Sequence, residues 1–194
     1  MQQLQTLETE TAWSITVSSD SVYVTGQTAG WLGQTYEGRY QQWTGDEGDY
    51  FWGVRDDLTY FGGTYWGAGD AFISRFSQDG EFQWTRLLGT NTEDTGLQVF
   101  ADDRSGAYIV GETQSQLGSS ASNERHAGGV DIFAARYNAD GALTWKEQWG
   151  SDGDDHLVDV AVNADGEALL VGTTTGVFPD ENRGALDAWI MQLK

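Results

Sequence analysis

The residues best suited to chemistry in this chain are carboxylates gathered in two short runs, Asn91-Thr92-Glu93-Asp94 and Ser151-Asp152-Gly153-Asp154-Asp155. Several hard oxygen donors in one loop, the second kept pliable by a glycine, suit calcium (Ca2+), so Asn91, Glu93, Asp94, Asp152, Asp154 and Asp155 form the candidate metal set. Neither run alone supplies the roughly six to eight ligands that calcium takes. The alternative is a solvated acidic loop, since the chain carries 30 acidic against 10 basic residues and a formal net charge of −20. The pairs Asp79-Gly80, Asp140-Gly141 and Asp165-Gly166 lack the alternating acids of a calcium loop. They read as hairpin turns, where glycine supplies positive φ.

A second group is aromatic. Trp31, Tyr36, Tyr40, Trp43, Tyr50, Trp52, Tyr65 and Trp66 are interleaved with Phe51, Tyr60, Phe61, glycines and acids. Flat rings cover the apolar faces of a sugar or a protein partner while carboxylates accept hydrogen bonds from hydroxyls, which makes these eight the candidate ligand-binding residues. The alternative is an extra hairpin whose rings pack on one another. Catalysis finds little support. The two histidines, His126 and His156, lie in polar stretches with no nucleophile motif beside them, and no phosphate-cradling glycine loop with lysine occurs. Carboxylate pairs have little diagnostic weight in so acidic a chain. No catalytic residue is assigned, and the expected role is non-enzymatic.

Charge and composition exclude further classes. Nucleic acid is disfavoured as a partner, because the eight arginines are scattered from Arg39 to Arg183 in a strongly anionic chain. With no cysteine, disulfides, thiolate zinc sites and a cysteine nucleophile are absent. No stretch approaches the roughly 18 apolar residues of a membrane span, so no membrane insertion is expected, and no signal peptide is visible.

The elements that must position these residues are repeated. Gly89 and Gly150, Asp94 and Asp155, Val99 and Val160, and Gly111 and Gly172 are each 61 residues apart. The same offset joins Asp70 to Asp131, Arg75 to Arg136 and Trp84 to Trp145. A third copy aligns Tyr23-Val24-Thr25-Gly26 with Tyr108-Ile109-Val110-Gly111, and the excess of its offset over the repeat (85 − 61 = 24) falls between Gly26 and Asp70. The first repeat therefore carries an insertion, at about 31–66, and the insertion holds the aromatic set. Within each copy the periodicity is that of strands: Leu97, Val99 and Ala101, like Val158, Val160 and Val162, alternate as a half-buried strand facing a core. A turn, a short apolar run ending in glycine, an Asp-headed third strand and a tryptophan-bearing fourth strand come next.

Four short antiparallel strands per repeat suit a propeller blade. The expected fold is all-β, with β-propeller-type blades of four antiparallel strands and about three repeats. The whole of 1–194 forms a single repeat domain, with blade one at about 8–89, blade two at about 90–150 and blade three at about 151–194. Blade three lacks a fourth strand, and residues 2–7 of the same or another chain would supply it, which predicts a homo-oligomer or a part of a longer propeller.

The order Trp145-x3-Trp149-Gly150, alternating strand, Asp-Gly turn, run to Val171-Gly172-x-Thr174, then Asp187-Ala188-Trp189, resembles the bacterial seven-bladed β-propeller (SBBP) repeat. That resemblance covers nearly all of the chain outside the insertion. It implies a propeller scaffold and an extracellular or cell-surface location, and it implies no reaction. Sequence thus predicts an extracytoplasmic binding or structural module, with calcium as a possible stabiliser and a glycan or protein as partner. The competing readings are a propeller-fold glycan hydrolase and a structural subunit of a surface assembly.

Overall fold

The structure, a computed structural model, describes residue 4 and residues 9–29, 41–43, 50–52, 69–90, 92–102, 106–117, 128–163, 167–178 and 184–193, with backbone alone at 41–43 and 50–52. These residues form thirteen strands and no helix: β1 (Glu10–Val17), β2 (Ser21–Thr28), β3 (Gln41–Trp43), β4 (Tyr50–Trp52), β5 (Asp70–Ser77), β6 (Phe82–Leu88), β7 (Asp94–Ala101), β8 (Ala107–Thr113), β9 (Asp131–Tyr137), β10 (Leu143–Trp149), β11 (Asp155–Val162), β12 (Ala168–Thr174) and β13 (Asp187–Leu193). They pair into antiparallel sheets: sheet I in the order β1-β2-β5-β6, sheet II in the order β7-β8-β9-β10, sheet III in the order β11-β12-β13, and the separate hairpin β3-β4. The all-β repeated architecture expected from sequence is present. Sheet III has three strands among the described residues, and residues 2–7, apart from Leu4, lie outside them.

Each repeat glycine has a defined steric job. Gly26 is paired with Phe72, Gly111 with Phe133 and Gly172 with Trp189 across the second and third strands. A Cβ on any of the three would collide with a first-strand carbonyl, that of Thr11, Thr95 or His156, and with the ring of its aromatic partner. The ring lies over the bare glycine, so the two positions recur together. Gly111→Ala is therefore expected to lower stability by about 2 kcal/mol or more, because neither backbone nor a packed ring yields easily. Urea unfolding would show it, and a midpoint equal to that of the wild type would contradict the assignment. The turns read from Asp79-Gly80 and Asp140-Gly141 are also as expected, with φ of +82° at Gly80 and +78° at Gly141. Asp165-Gly166 lies outside the described residues.

Sheet II is buried on both faces. On β9, Phe133, Ala135 and Tyr137 pack into one core with Tyr23, Ile73 and Trp84 of sheet I. The intervening Ile132 and Ala134 pack into a second core with Leu157, Leu170 and Trp189 of sheet III. Polar contacts reinforce the first joint, where the β9–β10 turn is held from sheet I. The Ala139 carbonyl accepts from Arg75 Nη1 (2.7 Å) and Trp84 Nε1 (2.9 Å), and the Gly141 carbonyl accepts from Arg86 Nε (2.8 Å).

The first strands depart from the expected alternation. Each carries an irregularity at the same place, between Ala12 and Ser14, Gly96 and Gln98, and Leu157 and Asp159. One extra residue there reverses the facing of the rest of the strand. Leu97 accordingly packs toward sheet III, whereas Val99 and Ala101 pack toward sheet I. In β1 and β11 the residues Trp13, Ile15, Val17, Val158 and Val162 are exposed instead of facing a core. For Ile15 and Val17 the reason is position in the stack: sheet I has no described neighbour on its outer side.

Candidate functional site at the loop-bearing end of the sheets

Strand direction sorts the connections into two kinds. At one end of every sheet the links are tight: Ser18 N donates to the Ser21 carbonyl, and the turns after β5 and β9 close through Gly80 N to Ser77 O and Gly141 N to Asn138 O, both 2.9 Å. At the opposite end lie the connections 29–69, 114–130 and 175–186, together with the links between sheets at 89–93 and 150–154. The insertion leaves sheet I from this end, between neighbours β2 and β5 whose last pair is Thr28 with Asp70. Function on a repeated scaffold tends to sit in such loops.

Carboxylates seal the two joints between sheets here, in the same way each time. Asp94 N donates to the Gly69 carbonyl (2.7 Å) and Asp155 N to the Val130 carbonyl (2.8 Å), tying each new sheet to the one before. Asp94 Oδ2 accepts from Thr90 N (2.5 Å) and Thr90 Oγ1 (2.9 Å), and Asp155 Oδ2 accepts from Ser151 N (2.5 Å) and Ser151 Oγ (2.8 Å). The hydroxyls in turn accept from Thr92 N and Gly153 N, each at 3.1 Å. Both aspartates are fully buried, and their Oδ1 atoms have no hydrogen-bond partner.

Asp70 lies beside Asp94, and its repeat equivalent Asp131 follows Val130, whose carbonyl accepts from Asp155 N. Asp70 Oδ1 rests against Gly89 and Asp131 Oδ1 against Gly150, so closely that a Cβ on either glycine would strike the carboxylate. Asp131 Oδ2 accepts from the Gln148 amide (2.7 Å). The residue 61 positions before Gln148 is Leu87, so sheet I lacks this donor. Burial, with the neighbouring Asp94 charge, pushes the Asp70 carboxyl up to about 7. Burial likewise raises Asp94 to about 6, against the pull of hydrogen bonds from Thr113 and Thr90.

The candidate metal residues are thus divided. Asp94 and Asp155 are sealed in the joints. Glu93 is exposed and accepts from Gln114 Nε2 (3.3 Å), Asp152 is exposed, and Asp154 Oδ1 accepts from Val130 N (3.2 Å). Asn91 lies outside the described residues. Among the described residues, no three side chains of His, Cys, Asp or Glu gather closely enough to hold a metal ion. Of the aromatic set, Trp43, Tyr50 and Trp52 fall on the β3-β4 hairpin, where Trp43 pairs with Tyr50 and Gln41 with Trp52. Trp31, Tyr36, Tyr40, Tyr65 and Trp66 lie outside the described residues. His156 Nδ1 stands 3.3 Å from Glu112 Oε2, whose other oxygen accepts from Leu157 N at 2.8 Å, so His156 belongs to the sheet II–sheet III joint. His126 lies outside the described residues. Sequence reasoning passed over Asp70 and Asp131. Their signal was the aspartate that heads the third strand of every repeat, Asp70, Asp131 and Asp187.

No family model matches the chain. It is similar to the regulatory protein FlaEY of Caulobacter vibrioides, with 26% identity over 108 residues, a stretch that is 54% of this chain and 11% of that protein.

Proposed function

We propose that this chain is a non-enzymatic, extracytoplasmic binding module whose sheets are propeller-type blades, and that its loop-bearing end presents the aromatic insertion to a carbohydrate. What carries the reading is topology: the one stretch that departs from the repeat, rich in tryptophan and tyrosine, emerges between adjacent strands at the end where the long connections collect. Rings there supply stacking area, and acids such as Glu37, Asp46 and Asp49 supply acceptors for sugar hydroxyls. Oδ2 of Asp94 and of Asp155 accepts from loop amides and hydroxyls, so a stabilising calcium ion would draw on the exposed carboxylates of the same runs, Glu93, Asp152 and Asp154.

One observation favours a second reading. Asp70 heads the strand that comes after the insertion, its carboxyl is pushed up to about 7 and Asp94 stands beside it, as in the paired acids of a glycoside hydrolase. Against this, Asp131 and Asp155 recur at the next joint with no insertion at hand. A panel of chromogenic glycosides separates the readings: turnover abolished by Asp70→Asn would support the hydrolase, and no turnover alongside saturable glycan binding supports the module.

A further inference from the structure

We infer that the two outer sheet faces of this chain are complementary halves of one interface, so that sheet III of one copy docks head to tail on sheet I of a second copy. The joint between sheets is already made twice within the chain. In each case the later sheet offers its first-strand valine, Val99 or Val160, to the core it shares with the sheet before it. These residues occupy one register position, three beyond the first-strand residue paired with the repeat glycine: Gly96 with Gly111, and Leu157 with Gly172. In β1 the residue paired with Gly26 is Ala12, so the equivalent is Ile15. Val99 is 6% exposed in its joint, whereas Ile15, and Val17 two residues on, are each 66% exposed.

The other end mirrors this. Ala134, next to Val110 across β8 and β9, is fully buried against sheet III. Ile190 holds its place beside Val171 and is 65% exposed, and Leu169, two residues before Val171, is 42% exposed. Among the described residues, one end of the stack therefore bares the side that accepts a later sheet, and the other bares the side that packs on an earlier one. Large aliphatic side chains stand at positions which the middle sheet buries, an arrangement monomer surfaces seldom keep.

The occupant is a second copy, because this chain carries both halves of a joint that it forms in its own interior. Pairing unlike faces makes the contact heterologous, so it closes into a ring or extends as a filament. The net charge of −20 on each copy opposes association, so added salt should tighten it.

Sedimentation velocity on the full chain, run over a concentration series at low and at about 0.5 M salt, tests the inference with two variants. Ile15→Asp with Val17→Asp disables the sheet I face, and Leu169→Asp with Ile190→Asp disables the sheet III face. Near-ultraviolet circular dichroism checks that each folds, with Thr in place of Asp where one does not. The wild type is expected to self-associate more strongly in salt. Each variant alone is expected to be monomeric, with association weakened about tenfold or more. An equimolar mixture of the two should give a dimer and nothing larger, since one intact face of each kind remains. A wild type that stays monomeric at all concentrations, variants that associate like the wild type, or a mixture that stays monomeric while the wild type associates would each overturn it.

Discussion

Alanine at Asp155 is expected to lower the unfolding free energy by about 3 kcal/mol, while alanine at Asp152, three residues away, changes it by less than about 0.5 kcal/mol. The two acids stand in one run of sequence, but only the first is buried in the joint between sheets II and III. Its Oδ2 accepts from the amide and hydroxyl of Ser151, a residue that is itself buried. Removing the carboxyl group strands both donors, and a buried donor left without its acceptor costs roughly 1–3 kcal/mol. Part of that loss is offset because the buried Oδ1, which has no partner, is removed with it. Urea denaturation at neutral pH measures both variants. Equal effects at the two positions would mean that the joint does not depend on this carboxylate.

Asparagine at Asp70 is expected to stabilise the protein above pH 7 by about 2–4 kcal/mol and to leave it nearly unchanged near pH 4. The sign is set by which state holds the proton. In the folded chain the Asp70 carboxyl titrates at about 7, against an ordinary value of 3.8, because it is buried beside Asp94. Between about pH 4 and pH 7 the unfolded chain has released a proton that the folded chain keeps. This contribution to stability is therefore fully present at low pH and is lost as pH rises through the folded value. Asparagine has the shape of the protonated acid and never ionises, so it escapes that loss. The two acids titrate as a pair, and Asp94, raised to about 6, should move back toward its ordinary value once its neighbour is neutral. Asp20, whose carboxyl is held low chiefly by the Ser18 hydroxyl, slopes the other way but is present in both proteins and cancels in the comparison. A difference between variant and wild type that stays constant from pH 4.5 to pH 8 would contradict the pairing.

Much of the fold was legible because each repeat marks its strands with residues that have single uses. The glycine at 26, 111 and 172 has to be bare for a ring to lie over it, and the turns at Asp79-Gly80 and Asp140-Gly141 use positive φ. Strand order could be read from those marks and from the 61-residue offset. The facing of the first strands was not legible, since Leu97, Val99 and Ala101 alternate in sequence while an irregularity after Gly96 turns Leu97 away from the other two. At the site, sequence found Asp94 and Asp155 by their company in acidic runs, and did not show the aspartates that head the strands before them. Those aspartates, Asp70 and Asp131, lie more than twenty residues earlier, and only the joint between sheets brings Asp70 beside Asp94. Charge density in a loop says nothing about which carboxylate turns inward: in these runs Asp94 and Asp155 do, and Glu93 and Asp152 do not.

The most direct test of the binding role is a glycan array probed with two proteins, the full chain and a chain in which residues 30–68 are replaced by Asn-Gly. Thr28 and Asp70 are paired neighbours in sheet I, so Ala29 and Gly69 can be bridged by a short hairpin turn without disturbing the sheets. The full chain is expected to bind a defined set of glycans saturably, with quenching of tryptophan fluorescence. The shortened chain is expected to keep its β-sheet circular dichroism and cooperative unfolding while losing that binding. Equal glycan binding by both chains, or none by the full chain, would contradict the insertion as the carbohydrate site.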